Sequence, residues 1–342
     1  MSHFKISWRI QSLRLKDVFT ISRWSRSEVQ NVFIALEKDG ITGMGEAAPN
    51  KRYNEDAEKV VAVCEALPIG FFDDITTPEE LEKKLNELNI TVYSAKFALE
   101  MAWLDWWGKS KNQPLWKLWG AEFPVGPVSS YTIGIDSIEK MQEKLRAGSQ
   151  YPNYKIKLGT DHDRNIIQAI RAITDKPIRV DANEGWKTVE QAQTEIEFLA
   201  TQNVELIEQP MPSVNLEEMT ALKKWSPIPL CADESFLGDE DLDEISEAFH
   251  VINIKLMKMG SLLKARRVLD EAHQKGLQVM IGCMIESSLA DAASGLIALN
   301  AEYADLDGHL LIANNPYSGF KLREDGRVML SDEPGFGVFL PK

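Results

Sequence analysis

Apolar and polar positions along the chain change rhythm near residue 124. Before it, strands come first: residues 4–15 alternate with a period of two, and 32–37 and 41–46 do so again. Lys38-Asp39-Gly40 separates the last two, and its Asp-Gly step predicts a tight hairpin. Helical spacing then predicts helices over 54–67, 77–88 and 94–108, with Pro78 and two glutamates opening the second. Strands followed by helices describe an α+β domain over residues 1–124.

After Pro124, short apolar runs alternate with amphipathic stretches. Strands are predicted at 129–133, 154–158, 178–181, 206–209, 230–233, 251–255, 278–282 and 303–307, and helices between them at 163–174, 188–202, 216–225 and 262–275. Alternation of this kind implies a parallel sheet. Eight units, the last of them irregular, imply an α/β fold closed as a (β/α)8 barrel over residues 125–315. Residues 316–342 carry Asp325-Gly326 between two short strand-like runs. They are expected to return to the N-terminal region and complete a capping domain.

Composition narrows the partners. The 342 residues include 52 Asp and Glu against 38 Lys and Arg, a net charge of -14, and 44% belong to the hydrophobic set. That balance disfavours nucleic acid and anionic membrane surfaces while supplying a large core. Cys64, Cys231 and Cys283 form no CxxC pair, which predicts free thiols in a reducing, cytoplasmic setting. The first residues lack an apolar h-region, so no signal peptide is expected, and no run reaches the ~18 apolar residues of a membrane span. No heptad marks the exterior, which leaves a homo-oligomer open.

Candidate chemistry lies at the strand ends, where barrel active sites are built. Asp181, Glu208 and Asp233 end three successive strands. Crowded like charges of this kind need a cation, and an all-oxygen donor set selects a hard ion such as Mg2+. A helix N-cap explains any one of them alone, but not three in succession. Lys155 and Lys157 share one strand face, and Lys255 enters from across the barrel; neighbouring cations and burial are expected to lower their pKa values towards those of useful bases. Lys258 falls beyond its strand and is expected on the surface. Asp305 and Asp307, two apart, form a second anionic pair suited to a substrate ammonium; solvated loop acids are the competing reading. Cys64 and Cys231 are expected in packing, and no histidine has an evident acidic partner.

A metal among three acids with a lysine on either side suits removal and return of a proton α to a carboxylate. On Lys155-Ile156-Lys157, the acids Asp181, Glu208 and Asp233, the run Asn253 to Lys258, and Asp305-x-Asp307, the chain resembles the enolase superfamily, muconate-lactonising subgroup, and within it the dipeptide epimerases. The resemblance spans essentially the whole chain and implies an α+β capping domain, a modified TIM barrel, (β/α)7β-like, and a C-terminal return. It implies Mg2+-dependent epimerisation of a dipeptide, L-Ala-L-Xaa to L-Ala-D-Xaa, at the α-carbon of the second residue, through an enediolate. Lys157 and Lys255 would be the acid/base pair, and Lys155 would meet the substrate carboxylate. Thr132, Cys283, Asp305 and Asp307 would line the substrate site. A mobile loop at residues 20–27, with Arg23, Trp24 and Arg26, would set selectivity: an inward arginine favours an acidic second residue, a Trp24 wall a hydrophobic one, and a cationic one is disfavoured. The rival readings are o-succinylbenzoate synthesis, cycloisomerisation or N-acylamino-acid racemisation on the same scaffold, and a non-catalytic metal-dependent binding barrel.

Overall fold

The computed structural model describes residues 3–341. Its chain opens with a three-stranded antiparallel sheet, β1 (Lys5–Ile21), β2 (Trp24–Lys38) and β3 (Ile41–Ala47). The Asp39-Gly40 turn has positive φ at both residues, 54° and 75°, as the two-residue hairpin requires. Helices α1 (Ala57–Glu65), α2 (Pro78–Glu87), α3 (Tyr93–Ser110) and the short α4 (Leu115–Leu118) follow. A capping box between Thr77 and Glu80 starts α2, with Pro78 at its first position.

A short strand, β4 (Val125–Val128), leads into the barrel units: β5 (Tyr131–Ile133) with α5 (Ile138–Ala147), β6 (Tyr154–Lys157) with α6 (Asp163–Arg171), and β7 (Ile178–Asp181) with α7 (Val189–Ala200). Next come β8 (Val204–Glu208) with α8 (Leu216–Trp225), and β9 (Leu230–Ala232) with α9 (Leu242–Ala248). Strand β10 (Val251–Lys255) runs into a single turn, α10 (Leu256–Met259), before α11 (Leu262–Gln274). β11 (Gln278–Gly282) pairs with α12 (Ser288–Ala298), and β12 (Tyr303–Asp305) is followed only by α13 (Gly308–Leu311). That last turn, in place of a full crossover helix, makes the barrel (β/α)7β-like.

The eight strands are parallel and ordered β5 to β12 around the sheet. Closure is weaker than a full ladder: Ser130 N donates to Ala304 O at 3.2 Å, beside a bridge between Ser129 and Ala304. Buried Arg179 spans this seam, donating to Ala304 O at 2.7 Å and Ser130 Oγ at 3.1 Å. The tail strands β13 (Lys321–Leu322) and β14 (Arg327–Met329) pair through β14 with β4. The tail also reaches the N-terminal helices, where Leu115 N donates to Gly335 O and Phe336 N to Asp105.

Buried acids bind the cap to the barrel. Glu100 in α3 accepts from Leu262 N at 2.5 Å and Ser261 Oγ at 2.8 Å, at the start of α11. Glu46 in β3 accepts from Ser287 N and Oγ, at the start of α12. Acids at these ends satisfy free N–H groups and complement the helix dipole. No helix among the described residues is long and apolar enough to cross a membrane.

Candidate active site

Strand register puts the chemistry in one layer. Lys157 lies opposite Asp181, and Asp181 opposite Glu208. Asp233 follows the last residue of β9, while Lys255, Gly282 and Asp305 are in register across β10, β11 and β12. Strands β6 and β10 are four apart in a ring of eight, so Lys157 and Lys255 enter from opposite walls. Gly282 leaves room for this: a Cβ there would sit 2.5 Å from Asn253 Oδ1 and 3.0 Å from Lys255 Cε.

Each acid is held by a lysine. Lys155 Nζ lies 2.5 Å from Glu208, 2.6 Å from Asp305 and 3.3 Å from Asp181. Lys157 Nζ lies 2.6 Å from Asp181, and Lys255 Nζ 2.7 Å from Asp233. At Lys155 and Lys255 the expected lowering is therefore not what this arrangement produces. Burial pulls Lys155 and Lys255 down, but the carboxylates outweigh it: Asp305, Glu208 and Asp181 hold Lys155 well above its ordinary value, and Asp233 and Glu208 do the same for Lys255. Burial pushes Asp181 up, yet Lys157 and Lys155 bring it to about 2. Glu208 goes the other way, to about 7, through burial and the charge of Asp181.

Lys258 corrects the surface assignment. It is 4% exposed, and its Nζ donates to Asp233 Oδ1 at 2.8 Å, Asp233 O at 2.7 Å and Phe236 O at 2.8 Å. The chain does not leave the barrel after β10; it coils at once into α10, which tucks the lysine against the β9 end. Gln209 carries no sign of its role in the sequence. Its Oε1 accepts from Asp233 N and Ser235 N, fixing the turn that carries Asp233. Its left-handed backbone, φ 37°, is visible only in three dimensions.

Asp181, Glu208 and Asp233 are buried oxygen donors on adjacent strand ends. Among the described residues no three acids converge at ligand spacing, since lysine ammoniums stand between them. The donor chemistry fits a hard divalent cation, and the amide oxygens of Asn183 and Asn253 beside the cluster are buried without a hydrogen-bond partner.

Above this layer lies a cavity of about 520 Å³. Thr132, Lys155, Lys157, Lys255, Cys283, Asp305, Asp307, Trp24 and Arg26 all line it, as does Asp233; Asp181 and Glu208 lie buried below. Asp307 accepts from Thr132 N at 2.6 Å and Thr132 Oγ1 at 3.2 Å. Burial and Asp305 raise its carboxyl to about 7. Asp305 Oδ1 is buried with no partner. All three cysteines are free, with Cys64 and Cys231 buried.

Residues 20–27 are not a loop. β1 and β2 extend through them to a two-residue turn at Ser22-Arg23. Arg23 anchors that turn on the barrel mouth, 2.8 Å from Glu184 and 2.5 Å from Glu234, and Arg52 joins Glu184 at 2.9 Å. Arg26 has no carboxylate partner among the described residues; its guanidinium stacks 4.2 Å over the Trp24 ring. Burial lowers its pKa with no offsetting acid.

Residues 6–120 match the mandelate racemase / muconate lactonizing enzyme N-terminal domain, and residues 136–341 match the enolase C-terminal domain-like family. The L-Ala-D/L-Glu epimerase of Bacteroides thetaiotaomicron is 36% identical, over 98% of this chain and 87% of its own. The L-Ala-D/L-amino acid epimerase of Pedosphaera parvula is 39% identical, over 95% of each. The structure of a dipeptide epimerase from Methylococcus capsulatus, complexed with Mg and L-Arg-D-Lys, has a TM-score of 0.87 at 28% identity, covering 99% of both chains. With both halves of the chain matched and the barrel-end acids and lysines in one layer, the chain belongs to the mandelate racemase / muconate lactonizing enzyme family of the enolase superfamily.

Proposed function

We propose that the chain epimerises a dipeptide at the α-carbon of its second residue by transferring a proton between two opposed lysines. The observation that carries this reading is the pair Asp305 and Asp307, buried in the same cavity as Lys157 and Lys255, with Asp305 Oδ1 lacking any donor. An unpartnered buried carboxylate oxygen is costly unless a cation meets it, and the α-ammonium of a dipeptide is one. Acyl and muconate substrates bring no such group, which disfavours the other reactions of the family. A purely binding protein has no use for opposed lysines.

Asp181, Glu208 and Asp233 would hold Mg2+, the ion of the Methylococcus complex. When bound, it supplies positive charge to the substrate carboxylate as the α-carbon loses its proton. Lys155, buried at the same wall, adds charge to that carboxylate. Lys157, as the neutral amine, takes the proton from one face and becomes an ammonium. Lys255, as the ammonium, delivers a proton to the opposite face and becomes the amine, which inverts the centre. Lys258 and Gln209 hold Asp233 in place throughout.

Arg26 favours an acidic second residue. Arg23 and Arg52 are already spent on Glu184 and Glu234, whereas Arg26 borders the cavity without a carboxylate. L-Ala-L-Glu is therefore the substrate of choice, in keeping with the relative from Bacteroides thetaiotaomicron. A library of L-Ala-L-Xaa dipeptides incubated with Mg2+ in D2O tests both statements. The expected result is a one-deuteron mass gain, fastest for L-Ala-L-Glu. Absence of exchange from every dipeptide would overturn the reaction, and preference for aliphatic partners would overturn the specificity.

A further inference from the structure

Behind the wall that carries Asp305 and Asp307 lies a second polar cluster, which no step above uses. Asp291 in α12 is fully buried, and its Oδ2 takes both the backbone N–H of His309 at 2.9 Å and the His309 Nδ1 at 2.6 Å. The His309 side chain is 9% exposed, and its ring packs edge-on against Phe320 with centroids 5.1 Å apart. Asp291 Oδ1 meets no N–H or hydroxyl. The Asp291 side chain also adjoins the carboxyl of Glu286, which burial and the charges of Asp291 and Glu46 hold well above the usual carboxylate range. A carboxyl, a carboxylate and an imidazole thus form one chain between the start of α12 and the turn after β12.

The flanks of that turn are tied by Leu306 N to Ser129 Oγ at 2.8 Å and by Ala313 N to Arg14 O at 2.7 Å, but neither bond reaches Gly308 or His309. Asp307 stands at the start of α13 but makes no capping bond there, because its carboxylate is turned to Thr132. Gly308 is pressed against the neighbouring loop so closely that a Cβ would lie 2.7 Å from Met284 O and 3.2 Å from Cys283 Sγ. Four residues of helix cannot fix such a turn by themselves. A buried carboxylate accepting two bonds from a single residue can.

We propose that Asp291 and His309 are positioning residues for the ammonium subsite: by clamping the residue two places beyond Asp307, they set where that carboxylate meets the substrate nitrogen. This rests on the dipeptide reading above. A clamp of this kind acts on one end of the substrate. Its loss degrades recognition of the ammonium and leaves the lysines on β6 and β10 where they are.

The test uses the full-length Mg2+-loaded protein and two ligands that differ only in the ammonium, L-Ala-L-Glu as substrate and N-propanoyl-L-Glu as inhibitor. In His309→Ala, KM for the dipeptide should rise about tenfold or more, since small misplacements of a positioned group are costly. In the same variant, kcat and the inhibitor Ki should stay within about threefold of the parent. In His309→Asn, whose Nδ2 can replace the Nδ1 donor, KM should return close to the parent value. A parallel rise in KM and Ki, or no change in KM, overturns the proposal. Should His309→Ala fail to fold, Asp291→Asn is read by the same ratio of KM to Ki. A parent protein that binds the two ligands equally refutes the ammonium subsite itself, and the clamp with it.

Discussion

Replacing Asp307 by Asn isolates the charge that the substrate ammonium would meet. The swap keeps volume, and an Asn can keep both contacts with Thr132, its Oδ1 accepting from Thr132 N and its Nδ2 donating to Thr132 Oγ1. What disappears is one negative charge at a site 2% exposed, where solvent screens little. Two unit charges about 3 Å apart attract by about 5 kcal/mol at an effective dielectric of 20. Desolvation of the pair offsets part of this, and loss of one partner of a buried charge pair costs about 2–5 kcal/mol in practice. At 1.4 kcal/mol per tenfold, kcat/KM for L-Ala-L-Glu should fall by roughly 30- to 3,000-fold. Deuterium uptake at the α-carbon, followed by mass spectrometry across a substrate series, measures it. Binding of N-propanoyl-L-Glu, which lacks the ammonium, should be unchanged or improved. A loss below threefold, or an equal loss for both ligands, would refute the assignment.

Lys157→Ala and Lys255→Ala should each abolish epimerisation while slowing α-proton exchange unequally for the L,L and L,D isomers; equal exchange from both isomers would contradict opposed bases. Arg26→Gln should reduce kcat/KM for L-Ala-L-Glu by about tenfold to a hundredfold and leave L-Ala-L-Leu nearly unaffected, a difference read from paired kinetics. Because Asp307 is raised to about 7, its carboxylate is half formed there and falls away below, so kcat/KM for the dipeptide should approach a tenfold loss per unit at lower pH; a flat profile from pH 5 to 8 would contradict this. Glu100, raised from 4.5 to about 7 by burial, keeps a proton in the folded state that the unfolded chain releases between those values. Its presence therefore costs stability as pH rises through that window, by up to about 3 kcal/mol. Urea midpoints of the parent and Glu100→Gln should diverge in favour of the variant from pH 4.5 to 7.5.

Much of the site was legible because barrel chemistry follows strand ends. Ile178–Asp181, Val204–Glu208 and Val251–Lys255 are short strands closed by a charge, and such a pattern is local. Helix starts were readable for the same reason, as with Thr77, Pro78 and Glu80. Lys258 was misplaced because its position in sequence, past the end of β10, says nothing about the turn that returns it to Asp233. The loop expected at 20 to 27 rested on the resemblance alone; the β1–β2 ladder and the Arg23 anchor make it a hairpin. His309 gave no sign of an acidic partner, because Asp291 is on another helix and the nearer acids in sequence face elsewhere.

The sequence by itself determined the order of strands and helices, the count of barrel units, and the presence of acids and lysines at their ends. Those are consequences of period and punctuation within a few residues. Only the tertiary structure decided which charges neutralise one another. Lys155 is committed to Glu208 and Asp305, Arg23 to Glu184 and Glu234, and Arg26 is left without an acid. Such pairings join residues up to 211 positions apart. Burial turns them from weak surface attractions into strong constraints, and burial depends on the closed barrel and its cap rather than on any local stretch of chain.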